Sequence, residues 1–210
     1  MTSTTEAPTV QRRGPGRPKG GAAVASRDQL LAAAQRAVEA IGPGVTMDDI
    51  ADEANVSKPI LYRLVGDRNT VVDALSDVLV DRISGFIAGT AGFTGEPRVD
   101  FVALVRAYFT AVRSDRNLYL FVNSIGQRPE PLRRRVERSG QQLVALFAAG
   151  RTPSSAGSAT APQTWGYSVI GALQTVTLMW IDDAAADLDA IADDVAHLLW
   201  PGVASALGFE

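Results

Sequence analysis

Apolar residues recur at helical spacing along this chain from Ser26 onwards, and no convincing alternating strand interrupts them. In the first run Leu30, Ala34, Ala37, Val38 and Ile41 share one face. Ser26 precedes it as a cap, Gln29 completes a capping box, and Gly42-Pro43-Gly44 stops it. A short second helix opens at Thr46, with Asp49 at its third position, where the helix dipole favours an acid, and runs through Ile50 and Ala51 to Ala54. Asn55-Val56 form a turn. Ser57 caps a third short helix, which tolerates Pro59 in its first turn, and Gly66-Asp67 closes it and starts the fourth. That fourth helix is long, carrying Val71, Val72, Leu75, Val78, Leu79, Ile83, Phe86 and Ile87, and residues 89–95 read as a loop. Five further helical segments are predicted at 97–113, 115–126, 129–149, 162–181 and 187–207.

The pattern predicts an all-α fold: an N-terminal three-helix unit with a helix-turn-helix, followed by a helical-bundle body. The boundaries expected are a disordered basic arm at 1–25, a helix-turn-helix domain at 26–70 and a body at 71–210. Residues 1–25 lack apolar periodicity and are rich in Thr, Gly, Pro and Arg. A low-complexity break is expected at 151–161.

Charge sharpens this division. The net charge of -3 conceals nine Lys/Arg against eight Asp/Glu in residues 1–70, and eleven against fifteen in residues 71–210. Arg12, Arg13, Arg17, Lys19 and Arg27 lie in or next to the arm, and no acid falls between Thr9 and Arg27. A local basic excess on an acidic protein suits nucleic acid.

Two short capped helices joined by a tight turn are the layout whose second helix enters the major groove. Ile50, Ala51, Ala54, Val56 and Leu61 supply small apolar contacts between them, while Lys58, Tyr62, Arg63 and Arg68 are expected to face outward, suited to phosphate oxygens and base edges. The run from Val45 to Arg68 resembles the signature of the TetR family at Thr46, Ile50, Ala51, Val56, Ser57, Leu61 and Tyr62. It departs from that signature in Leu64, Val65 and Arg68, where a polar residue, an aromatic and a lysine are usual. The resemblance implies that Tyr62 and Arg68 hold phosphates, that Lys58, Pro59 and Ile60 face base edges, and that Thr46, Ser57 and Arg63 belong to the same DNA-binding set. Gly14 to Gly21 contains a Gly-Arg-Pro core resembling an AT-hook, so Arg17 and Lys19 are candidates for a minor-groove contact.

For the body, the resemblance implies a double-stranded DNA operator as partner, an unknown small-molecule effector and a homodimer formed through the last two helices. Apolar faces interrupted by polar side chains make a cavity feasible. The candidate ligand residues are Phe86, Tyr108, Phe109, Phe121, Asn123, Gln127, Trp165, Gln174 and Trp180. His197 reads as a core or interface residue. The arginines at 133–135 and 138 read as a solvated face paired with Glu130 and Glu137.

Competing chemistries find little support. There is no cysteine and one histidine, which leaves no thiolate site and no Glu-x-x-His for a di-metal carboxylate centre. No Walker-type phosphate loop occurs. Neither catalytic residues, nor a metal, nor a cofactor is expected. The sequence also has no apolar run long enough to span a membrane and no signal-peptide core, so the expected location is cytoplasmic. A helical-bundle enzyme or a ligand-independent DNA-binding protein is the alternative.

Overall fold

The computed structural model describes residues 25–92, 94–124, 134, 136–142, 145 and 161–207. Among them lie α1 (Arg27–Ile41), α2 (Met47–Glu53), α3 (Lys58–Leu64), α4 (Arg68–Thr90), α5 (Pro97–Ser114), α6 (Arg116–Ser124), α8 (Ala161–Trp180) and α9 (Leu188–Leu207). A further helix, α7, is described over residues 136–142. No strand occurs among the described residues, and no helix there is long and apolar enough to cross a membrane. The basic arm up to residue 24, the region around Gln127 and the break at 151–160 fall outside them.

Local chemistry sets the helix starts. The Ser26 hydroxyl accepts from the Gln29 N–H at 3.2 Å and the Gln29 carboxamide accepts from the Ser26 N–H at 2.9 Å, as the capping box requires. Asp67 starts α4 by accepting from both the N–H and the hydroxyl of Thr70, each at 2.9 Å. The loop expected from residue 89 begins later. α4 runs to Thr90 because the Ala91 N–H still reaches the Ile87 carbonyl at 3.0 Å, and Gly92, with φ +60°, follows in the left-handed conformation. Three donors then converge on the buried Asp100 carboxylate: the N–H and hydroxyl of Thr94 at 2.6 and 2.9 Å and the Gly95 N–H at 3.0 Å. This ties the α4–α5 loop to the first turns of α5.

One continuous apolar core joins the helices. α2 packs on both α1 and α3, α4 lies against α1, α5 and α6, and α5 packs against α4 and α9. Phe101 of α5 meets Trp200 of α9 at 5.8 Å, and Phe109 stands edge-on to Trp180 of α8 at 5.4 Å. Arginines hold the α8–α9 turn from outside. Arg113 donates to the Ala186 carbonyl at 3.1 Å, and Arg116 donates to the Ile181 carbonyl at 2.9 Å while pairing with Asp182.

At the start of α9, Asp187 caps the helix, accepting from the Asp189 and Ala190 N–H groups at 3.1 Å, and Asp193 pairs with Arg106 at 2.7 Å. One expected pairing changes. Glu130 lies outside the described residues, and among those described Arg138 pairs with another helix and not with Glu137. Its two terminal nitrogens reach Asp77 and Asp81 of α4, each at 2.7 Å, because carboxylates one turn apart on a facing helix match the guanidinium fork.

Candidate nucleic-acid interface and effector cleft

The two short helices α2 and α3 are placed by burial on one side only. Ile50, Ala51, Leu61 and Val65 are buried, with Ile50 and Leu61 fully so. The family-atypical Val65 is thus a core residue, and Leu64 packs half-buried against the same core. Between the helices Asn55 adopts φ +52°, a left-handed conformation that Asn tolerates better than most side chains. The Val56 N–H closes the turn on the Ala51 carbonyl at 3.0 Å. Ser57 stands at the cap position of α3, but its side chain makes no capping hydrogen bond.

Exposure then sorts the predicted residues. Lys58, Pro59, Tyr62 and Arg63 lie on the open face of α3, and Ile60 is half-buried. Lys58 pairs with Asp48 at 2.7 Å, and that hydrogen bond raises the ammonium pKa above its ordinary value. Thr46 is exposed, yet its hydroxyl is engaged with Asp49, accepting from the Asp49 N–H at 3.2 Å and lying 2.7 Å from its carboxylate. The Thr46 hydroxyl, and then its backbone N–H, hold the Asp49 carboxyl below the usual carboxylate range. Arg17 and Lys19 lie outside the described residues.

Arg68 is placed differently from the sequence expectation. Its guanidinium turns inward, donating to the carbonyls of Val45 and, at 3.1 Å, Pro43, and it lies over the Phe121 ring at 4.7 Å. A basic residue just after the recognition helix reads as a phosphate ligand. Carbonyls at the α1–α2 turn and an aromatic face on α6, more than 50 positions away, compete for the same guanidinium. Nearby, the Asn117 carboxamide donates to the Glu39 carbonyl at 2.9 Å, and Arg82 of α4 bridges Glu39 at 3.0 Å and Asp115 at 2.7 Å. The start of α6 is therefore fastened to the end of α1.

A narrow cleft with about 50 Å³ of solvent-accessible space lies in the body between α4, α5, α6, α7 and α8. Of the nine ligand candidates, Tyr108, Asn123 and Gln174 line it. Phe86, Phe109, Phe121, Trp165 and Trp180 are not among its described lining: Phe109 and Trp180 pack on each other, and Phe121 lies under Arg68. Gln127 lies outside the described residues. Sequence reasoning missed Ser84, Tyr119, Ser139 and Gln142, which also line the cleft. Ser84 and Tyr119 sit in helical patterns whose inward register could be counted. Ser139 and Gln142 become wall residues only through the docking of α7.

Residues 30–75 match the family model described as bacterial regulatory proteins, tetR family. An uncharacterised HTH-type transcriptional regulator of Mycobacterium tuberculosis is 25% identical over 185 residues, which is 84% of this chain and 76% of that protein. The HTH-type transcriptional activator FasR of Mycolicibacterium smegmatis is 30% identical over 132 residues, 58% of this chain and 60% of that protein. A TetR-like transcriptional regulator from Rhodococcus sp. RHA1 has the same fold, with a TM-score of 0.57 at 23% identity, covering 85% of this chain and 96% of that one.

If the Arg68–Phe121 contact ties α6 to the helix-turn-helix, Arg68→Ala and Phe121→Leu should destabilise the protein non-additively in urea. The expected coupling is about 0.5–1 kcal/mol, the size of a cation–π contact. Strict additivity would mean the two residues stabilise the fold independently.

Proposed function

As a member of the TetR family of bacterial regulatory proteins, this chain is a DNA-binding transcriptional regulator, and we propose that it represses from a palindromic operator as a homodimer and lets go when a small molecule enters the cleft. The observation that carries the DNA-reading assignment is the sidedness of α3. Leu61 is fully buried while Lys58, Pro59, Tyr62 and Arg63 stand out together from a rigidly packed base. A phenol hydroxyl and two cations on one edge suit phosphate oxygens, and residues at the start of the helix suit base edges. Lys58 must exchange Asp48 for DNA to take part, so its salt bridge is a contact made in the free protein and lost on the operator. Such a role places the protein in the cytoplasm with the chromosome.

The dimer is assigned to the outer faces of α8 and α9. Leu178, Met179 and Leu198 are 64%, 81% and 77% exposed, which makes an apolar surface on the two C-terminal helices. Two copies joined there would present two α3 helices to successive major grooves. His197 is exposed on the same helix, consistent with an interface position.

Release would work through shared helices. α4 packs on α1 and also lines the cleft, and α6 carries Tyr119 and Asn123 in the cleft wall while Asn117 and Phe121 hold the DNA-binding unit. A ligand that displaces either helix shifts the separation of the two recognition helices. A preference of a few kcal/mol for the released state is enough to change occupancy. The name of FasR denotes an activator, and the same grip on DNA activates or represses according to where the operator lies.

Three outcomes are expected. Tyr62→Ala should bind the DNA upstream of its own gene about tenfold or more weakly at fixed salt with unchanged stability, since Tyr62 is 43% exposed. Equal affinity in a gel-shift titration would remove α3 as the reading face. Leu178→Glu combined with Leu198→Glu should sediment as a monomer, and a persistent dimer would place the interface elsewhere. A compound shown to occupy the cleft should lower operator affinity; full retention of affinity would end the release mechanism.

A further inference from the structure

The cleft's lining sorts by chemistry. Leu79, Ile83, Ile87, Leu104, Ile170 and Leu173 give it aliphatic walls. The polar groups set among them are neutral carboxamides and hydroxyls, and none of the described lining residues carries a formal charge at neutral pH. Two glutamines line it, Gln142 on α7 and Gln174 on α8. The Gln142 carbonyl oxygen accepts from the Ser84 hydroxyl at 2.7 Å, and this fixes its amide so that the Nε2 hydrogens remain to donate. The Gln174 carboxamide is half-buried and can both donate and accept.

A carboxylate or an ammonium moved from water into such surroundings loses its hydration and gains no counter-charge from the described lining, a large penalty for an ion. A neutral head group loses far less, and a carboxamide can return both its donor and its acceptor bonds. We propose, building on the reading of this cleft as the effector site, that it selects an uncharged, mainly aliphatic molecule with one amide-, alcohol- or carbonyl-type head recognised by Gln142 and Gln174.

Three probes of one chain length separate head-group charge from tail: octanamide, octanoate and octylammonium, titrated calorimetrically into the full chain at pH 7 without DNA. Octanamide should bind saturably, and the two ions at least about 100-fold more weakly. Gln174→Leu should weaken octanamide about tenfold, and Gln174→Arg should reverse the order in favour of octanoate. Octanoate or octylammonium binding as well as octanamide would overturn the inference, as would binding of none of the three. Octanamide bound in the cleft with operator affinity unchanged would leave the ligand class standing and overturn only the effector reading.

Discussion

Arg68 stands where α3 ends and α4 begins, and its guanidinium joins parts of the chain that lie far apart in sequence. It donates to the carbonyls of Pro43 and Val45 in the α1–α2 turn while covering the Phe121 ring on α6. Val45 is itself fully buried, so its carbonyl has little access to water and needs the partner. One planar cation thus fixes the turn before α2, the entry to α4 and the face of α6. Lysine, which is usual there in the family, would bring a single ammonium without a planar face to stack.

The recognition surface depends on that joint because α2 and α3 cannot order themselves. Each has seven residues, well below the length at which an isolated helix is stable in water. Their rigidity comes from the Thr46–Asp49 capping box, the left-handed turn at Asn55 and the burial of Ile50, Ala51, Leu61 and Val65. Only when those contacts hold do Lys58, Tyr62 and Arg63 present a fixed geometry, which the groove-reading role proposed for them requires.

Two helices are shared between the cleft and the N-terminal unit: one side of α4 and of α6 helps to form the cleft, and another packs on α1 or its adjoining turn. Arg138 and Gln142 further tie α7 to α4 through Asp77, Asp81 and Ser84. The helices that wall the cleft are thus the same ones that brace the N-terminal unit.

Much of this was legible in the sequence, where the signal is local. Capping pairs, glycine stops and helical periodicity gave the helix order and most boundaries, because a cap or an apolar repeat is decided within a few residues. The outward positions of Lys58, Tyr62 and Arg63 followed from the register of one short helix, and that of Pro59 from the family resemblance. Arg68 escaped that reasoning, as did Phe121 and the Arg138 pairing with Asp77 and Asp81. Each partner lies tens of residues away, and local pattern cannot say which carbonyl, ring or carboxylate will be within reach. The aromatics chosen for the ligand set show the same limit: Phe109 and Trp180 have the composition of a pocket wall, yet they satisfy each other edge-on in the core. Sequence determined which elements form and which faces are apolar; tertiary packing alone decided which of those faces meet one another and which enclose a space, because long-range contacts are set by how whole helices dock.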